Sequence, residues 1–504
     1  MPFVQSVLAR AIETPERIAL ADDQGQYITY GELLSSSRTT ASRLQQVGRE
    51  TPDSPHQDLA GYPVVALCLH DALTTVRLFA ELSMGPVVLS VLNPRDWHDQ
   101  LWGNISSAGI TVVVTDDQTF SRYLRTHGFP GTVLGPQLLL APDVDPKDTT
   151  VPQDADPYLV LFSSGTTGQP KAFIKTRGEY RANYRASHQR LQVAGHTTLA
   201  PGTLSYSLIL YAVVEALGAG ETCVVTGRAH FRHMTAAFTH WPITRVVAAP
   251  AVLLGILEAA GNQTERLGNL QVLVTGGSAV PQALRDRVAE KVPRAKLINY
   301  FGTGEIGFIA DSTPDPCGIS YSDRLRLYDH VTAQVRDTTN RVLAENCLGQ
   351  LWFRAPSASA RYLNSPAQLS DEFGWRTVGD WGMVQDRWIQ LTGRGDEIVT
   401  TGANTISLVE ADDRLAQALG PLVTGATATV GLPDPRLGVI IAGVIETPQA
   451  PTKSELVALA RDNIPEPFRP RRWYSIARFP RTSSEKIQRR RLIQLIDEGK
   501  AHRL

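Results

Sequence analysis

The run Ser163-Ser164-Gly165-Thr166-Thr167-Gly168-Gln169-Pro170-Lys171 concentrates hydroxyls, glycines and one terminal cation. Those groups suit phosphate oxygens. Backbone N–H groups and hydroxyls donate, lysine adds charge, and glycine lets the backbone approach a ligand closely. The P-loop of NTPases, G-x-x-x-x-G-K-[ST], is the obvious competitor. It does not fit, because Pro170 stands where the second glycine belongs and Ala172 where a Mg²⁺-binding hydroxyl belongs. A polar surface loop is the plain alternative for such a run by itself.

The loop needs a rigid element before it, and Tyr158 to Phe162 reads as a buried strand. The same pattern recurs. Val64–Cys68, Val87–Val91 and Thr111–Thr115 are apolar strand-like runs, with a helical pattern over Ala72–Met84 between the first two. Residues 200–225, 244–260 and 272–298 repeat the alternation. Continuously apolar strands separated by helices predict an α/β fold with parallel sheets covered on both faces. From Arg324 to Arg354 the strands become shorter and more alternating, as in a small antiparallel sheet or barrel. A new βα pattern starts after Gly393-Arg394-Gly395-Asp396 and continues to Leu504. The expected organisation is therefore a large N-terminal domain, 1–392, a joint at 393–397, and a smaller mobile α+β domain, 398–504.

Bulk properties narrow the class. A chain of 504 residues is too long for one core. A hydrophobic content of 42% and a charged content of 20% are those of a globular protein. A net charge of −1 offers no general field for nucleic acid or anionic lipid. No stretch of ~18 apolar residues predicts a membrane span. Cys68, Cys223, Cys317 and Cys347 lack metal or disulfide spacing, which suits a reducing cytoplasm. His230 and His233 are spaced H-x-x-H without a third ligand nearby and read as surface residues.

Four further segments follow the hydroxyl-rich run. They are Gly276-Gly277-Ser278-Ala279-Val280, then Tyr300-Phe301-Gly302-Thr303-Gly304-Glu305. Next comes Trp375-Arg376-Thr377-Val378-Gly379-Asp380 with Gly393-Arg394-Gly395-Asp396-Glu397-Ile398. The last is Pro480-Arg481-Thr482-Ser483-Ser484-Glu485-Lys486-Ile487-Gln488-Arg489. In order and type these resemble GGAPL, YGxTE, GWxxTGD with GRxDxxI, and PxTxxGKxxR of the adenylate-forming superfamily. That superfamily comprises acyl- and aryl-CoA synthetases, adenylation domains and firefly luciferase. The resemblance spans almost the whole chain and is nearest to the acid:CoA ligases.

It implies an ATP- and Mg²⁺-dependent enzyme. Ser163, Ser164, Gly165, Thr166, Thr167, Gly168 and Lys171 would embrace phosphates. Gly277, Ser278 and Ala279 would border adenine, and Phe301 would stack on it beside Gly302 and Thr303. Glu305 would be the Mg²⁺ carboxylate, Asp380 would take the ribose hydroxyls, and Arg394 ribose or phosphate. Asp396 falls at the family's hinge. Lys486 matches the mobile lysine of the adenylation step, and Gly402 would line the thiol tunnel. Two departures stand out: Gly304 replaces a Thr or Ser, and Glu485 a glycine.

Aligning Leu217 to Gly220 with the family puts Tyr206 at the gate of the acid pocket. Ser207 then falls where amino-acid-activating domains keep an aspartate. Tyr211, Tyr300 and Phe308 are further wall candidates. That describes a neutral, aromatic-rich pocket for an aryl or medium-chain fatty acid. The expected partners are this small carboxylic acid and CoA as co-substrate, with no nucleic acid. A carrier-protein thiol as acceptor and a non-catalytic nucleotide-binding homologue remain alternatives, and the sequence leaves the oligomeric state open.

Overall fold

The computed structural model describes residues 3–48, 51–141, 152–163, 171–260, 267–278, 280–319, 323–364, 369–401, 404–420, 422–423, 425–434, 438–447, 451–481 and 487–504. The chain divides into two compact units. The first comprises residues 1–332 and 353–378, the second 333–352 and 379–504.

The first unit holds a six-stranded sheet and a longer run of nine strands. Its strands in chain order are β1 (Ile18–Asp22), β2 (Tyr27–Thr29), β3 (Val64–Cys68), β4 (Val88–Val91), β5 (Val112–Thr115), β6 (Thr132–Leu134), β7 (Pro157–Ser163) and β8 (Lys171–Thr176). They continue with β9 (Thr198–Ala200), β10 (Cys223–Val225), β11 (Arg245–Val247), β12 (Val272–Gly276), β13 (Lys296–Thr303), β14 (Gly307–Asp311) and β15 (Leu325–Leu327). The six-stranded sheet has the order β6-β5-β3-β4-β7-β8, and the nine-strand run the order β15-β14-β13-β12-β11-β9-β10-β1-β2.

Parallel pairing dominates where strands are fully apolar. Val64–Cys68, Val88–Val91 and Val112–Thr115 are buried at every position, as expected for strands covered on both faces. Their core includes Leu101, Ile105, Phe120 and Leu124 from the helices His98–Ala108 and Gln118–Thr126. Strands β11, β12 and β13 form a second parallel block, packed with the helices Pro250–Ala259 and Gln282–Lys291 through Leu253, Leu257, Leu273, Leu284 and Val288. Antiparallel pairing enters at β7–β8 and at β13–β14, and both places carry predicted site residues.

The chain continues with β16 (Thr332–Arg336) and β17 (Gly349–Arg354), and the second unit contains β18 (Asp380–Gln385) and β19 (Trp388–Arg394), an antiparallel hairpin. A further mixed sheet follows, formed by β20 (Ile398–Thr401), β21 (Asn404–Ser407), β22 (Thr427–Asp434), β23 (Gly438–Glu446), β24 (Arg472–Ile476) and β25 (His502–Arg503). Its core packs Val430, Ala442, Val444 and Tyr474 against Leu492 of the C-terminal helix Arg489–Asp497. None of the described helices is long and apolar enough to cross a membrane.

Candidate nucleotide and acid site

The two ends of the hydroxyl-rich run are locked by pairing. Strands β7 and β8 run antiparallel, with Phe162 opposite Ala172 and Ser163 opposite Lys171. Residues 164–170 join these paired ends, so Ser164, Gly165, Thr166, Thr167 and Gly168 lie outside the described residues. The strand before the loop forms as the sequence predicts. The antiparallel return strand is the element that sequence periodicity did not reveal.

Lys171, Phe173 and Lys175 occupy alternate positions of β8, so they share one face. The Lys171 ammonium lies 5.2 Å from the centre of the Tyr362 ring. The Tyr362 hydroxyl donates to Glu305 Oε1 at 3.3 Å. Lys175 reaches beneath the same turn and donates to the carbonyls of Glu305 (2.8 Å) and Ser357 (2.5 Å). Burial pulls the Lys175 ammonium down to about 8, against the opposing pull of Glu179 and Glu305. Tyr362 is held along β8 by Leu363 N–H to the Ala172 carbonyl (2.7 Å) and by Ala172 N–H to Asn364 Oδ1 (2.9 Å).

Glu305 occupies the turn between β13 and β14 and is only 7% exposed. Its backbone carbonyl also accepts from Ser359 N–H at 2.8 Å. Among the described residues the carboxylate has one side-chain bond, that from Tyr362, which leaves it lone pairs for a cation. The Thr303 hydroxyl accepts from Ile306 N–H at 3.1 Å and so ties the turn together.

The Gly304 departure has a structural cause. A Cβ at this position would lie 2.8 Å from Cζ of Phe173, a ring that is itself 1% exposed. Phe173 occupies the space that a Thr or Ser side chain would need. Gly302 is equally constrained, since a Cβ there would meet the Gly307 carbonyl oxygen at 2.6 Å.

Phe301 packs its ring 5.9 Å from that of Phe353. Asn299 precedes it by two residues on β13 and shares its face. Asn299 Oδ1 is buried and has no hydrogen-bond partner. An acceptor held beside an aromatic face can receive an amino group of a stacked base. Gly277 turns the chain after β12 with φ of +82°, and Ser278 beside it is exposed. Ala279 lies outside the described residues.

The aromatic pocket candidates divide. Tyr211, Phe308 and Tyr300 come together, with ring centres 4.9 Å apart for Tyr211–Phe308 and 4.6 Å for Tyr300–Phe308. Tyr180 continues the group at 5.6 Å from Tyr211. Tyr206 and Ser207 instead lie at the exposed start of the helix Ser207–Ala219, with Tyr206 40% exposed. One turn beyond Tyr211 the same helix carries Glu215, which pairs with Arg245 at 2.7 Å. Burial first, and the Glu215 charge in addition, raise the Tyr211 and Tyr300 hydroxyls above the usual tyrosine range. His233 of the H-x-x-H pair bonds Asp23 through Nδ1 at 2.6 Å.

In the second unit, Asp380 and Arg394 face each other in the β18–β19 ladder, and Gly395 N–H reaches the Gly379 carbonyl at 2.7 Å. The two halves of the fourth motif therefore meet through their backbones. The side chains of Ser163, Arg394 and Asp396 lie outside what is described, as do Gly402 and Lys486 entirely. The ends of the lysine segment are close, because Arg481 and Ile487 form an antiparallel bridge and Gln488 N–H bonds the Pro480 carbonyl at 2.9 Å. Arg489, the last residue of that motif, pairs with Glu397 at 2.8 Å and with Asp412. Burial, opposed by Arg489, pushes the Asp412 carboxyl up to about 6.

A family model described as AMP-binding enzyme matches residues 8–363. The chain belongs to the AMP-binding enzyme family. Among curated relatives of this AMP-binding chain, a 4-chlorobenzoate–CoA ligase from an Arthrobacter species is 25% identical, covering 95% of the chain and 92% of the relative. An uncharacterized acyl–CoA ligase of Bacillus subtilis is 24% identical and covers 99% of both. These relatives are acid–thiol ligases by name, and the chain is an enzyme of that AMP-forming class. The fold agrees with that of O-succinylbenzoate coenzyme A synthetase from Bacillus subtilis in complex with ATP and a magnesium ion. The TM-score is 0.80 at 19% identity, covering 97% of this chain and 99% of the other.

Proposed function

We propose that this enzyme activates an aromatic or medium-chain carboxylic acid as its acyl-adenylate and then passes the acyl group to the thiol of CoA. The line Lys171–Tyr362–Glu305 carries the reading, since it gathers a cation, a hydroxyl and a buried carboxylate at the foot of the β7–β8 hairpin. In the first half-reaction a carboxylate oxygen of the acid attacks the α-phosphorus of ATP in line. The bond to pyrophosphate breaks, and pyrophosphate leaves with the electron pair. In the second, the deprotonated thiol attacks the acyl carbon and AMP departs.

The residues fit the nucleotide. Asn299 Oδ1 is, among the described residues, an unpartnered acceptor beside Phe301. Asp380 and Arg394 would hold ribose and phosphate, and Lys486 with the 163–168 loop would steady charge on the phosphoryl oxygens. Mg²⁺, when bound, neutralises phosphate charge, and the Glu305 carboxylate would hold it. Segment 398–504 would turn about 393–397, with Asp396 as pivot, and exchange Lys486 for the Gly402 side of the thiol path. The Tyr211–Phe308–Tyr300 group supports an aromatic wall, and the named activity of the 4-chlorobenzoate relative favours aryl acids.

Pyrophosphate release over a panel of carboxylic acids, each with and without CoA, tests the proposal. Aromatic acids are expected to release pyrophosphate and to yield a thioester only with CoA. Exchange with an α-amino acid and with no neutral acid would overturn it.

A further inference from the structure

The helix Ser207–Ala219 is apolar along almost its whole length, with one charged residue, Glu215. That carboxylate is 1% exposed, and its partner Arg245 is fully buried. Arg245 is satisfied on three sides. Nη2 donates to Glu215 Oε2 at 2.7 Å, Nε to the Leu191 carbonyl at 3.2 Å, and Nη1 to Thr198 Oγ1 at 3.2 Å. Among the described residues Glu215 is satisfied on one side only, because Oε1 is buried and without a partner. An orphaned buried acceptor is costly, and a core needing only neutral packing would do better with an apolar pair.

The place of this oxygen gives it a use. Glu215 follows Tyr211 by four residues, so the two share a helix face about 6 Å apart along the axis. Tyr211 packs on Phe308, whose ring in turn meets Tyr300. Resting on the acid-pocket reading above, we infer that Glu215 Oε1 receives a hydrogen bond from a neutral donor at the end of the substrate opposite its carboxylate. The substrate class is then an aromatic acid with a distal hydroxyl or arylamine.

A neutral donor is specified because Arg245 already balances the Glu215 charge. A substrate ammonium would meet a pair with no net charge and would lose its hydration without gaining an ion pair. A hydroxyl loses far less and satisfies the orphaned oxygen. A site built to bond such a group discriminates against the shape-matched analogue that lacks it. The sequence reading of a largely neutral pocket is refined by this pair, which is neutral in sum and polar at one oxygen.

The test compares para-hydroxy and para-methyl forms of benzoic and cinnamic acid with the wild-type enzyme, reading kcat/KM for pyrophosphate release. The methyl group matches the hydroxyl in size and cannot donate. A preference for hydroxyl of about tenfold or more is expected. In a Glu215→Leu, Arg245→Met double variant, which removes both charges together, the ratio should fall to one or reverse while KM for ATP holds. A purely structural pair would change the melting temperature and leave the ratio intact, which would overturn the inference. A wild-type ratio near one, with both acids activated, would overturn it too and leave the proposed function standing. If no aromatic acid releases pyrophosphate, the acid-pocket reading falls and takes this inference with it.

Discussion

Two antiparallel closures in this molecule each bring together the ends of a predicted reactive segment, and they are built very differently. The β7–β8 hairpin pairs strand against strand from Pro157–Thr176 to Ser163–Lys171, and β7 is also bound to β4 in a buried sheet. Phe173, Ala172, Val160 and Leu159 are almost fully buried. Among the described residues, the ends of the segment containing Lys486 are joined by a bridge, Arg481 to Ile487, with Arg481 on Glu446 at 3.1 Å and the Gln488 side chain on the Arg481 carbonyl at 3.0 Å. Groups that hold phosphate gain from a frame that does not reorganise. A lysine needed in one half-reaction gains from a frame that can release it for the next.

The comparison is broken most directly at its reactive ends. Lys486→Ala should lower adenylation by on the order of a thousandfold, while CoA attack on supplied acyl-adenylate stays near wild type. Pyrophosphate exchange at the wild-type rate would remove Lys486 from the reaction. Glu305→Gln should lower kcat by on the order of a hundredfold and move the Mg²⁺ titration to higher concentration. An unchanged titration would separate Glu305 from the metal.

The frames can be probed as well. Gly304→Thr should cost about 1–3 kcal/mol in thermal unfolding, because its side chain meets Phe173. Phe173→Leu in the same chain should recover part of that loss. Equal melting temperatures for all three proteins would show that the ring yields freely. The smallest effect concerns pH. The Asp412 carboxyl is raised to about 6 in the fold from 3.8. Between these values the folded protein binds a proton that the unfolded chain does not, so this group's contribution to stability grows as pH falls from about 6 to 4. Melting curves of Asp412→Asn should lack that component, and identical pH dependence in both proteins would dismiss it.

Much of this was legible in the residues. Val64–Cys68, Val88–Val91 and Val112–Thr115 announce themselves because strands covered on both faces are mostly apolar and carry no charge. Glu305 and Phe301 were legible because their neighbours form a compact local pattern. Tyr362, Asn299 and Lys175 were not. Tyr362 lies far along the chain from Lys171, and the two regions meet only through folding, at the Phe173–Tyr362 bridge and the bonds of Leu363 and Asn364 to Ala172. Lys175 had one faint signal, its position two alternations beyond Lys171 on a strand. Glu215 stood out as a lone charge in an apolar helix, but nothing local names Arg245 as its partner. Tyr206 and Tyr211 looked alike in sequence and separate in the fold, because Tyr206 caps the exposed start of the helix in extended conformation while Tyr211 lies within it, in the ring cluster.

The fit of Phe173 against Gly304 also constrains the order in which these two positions can change over time. A side chain gained at 304 while the ring remains carries the cost of that contact, whereas one gained after position 173 has shrunk does not. Each residue is therefore more permissive for the other in one sequence of steps than in the reverse. Libraries that randomise either position alone should therefore return the present pair, and those that randomise both should return a second solution.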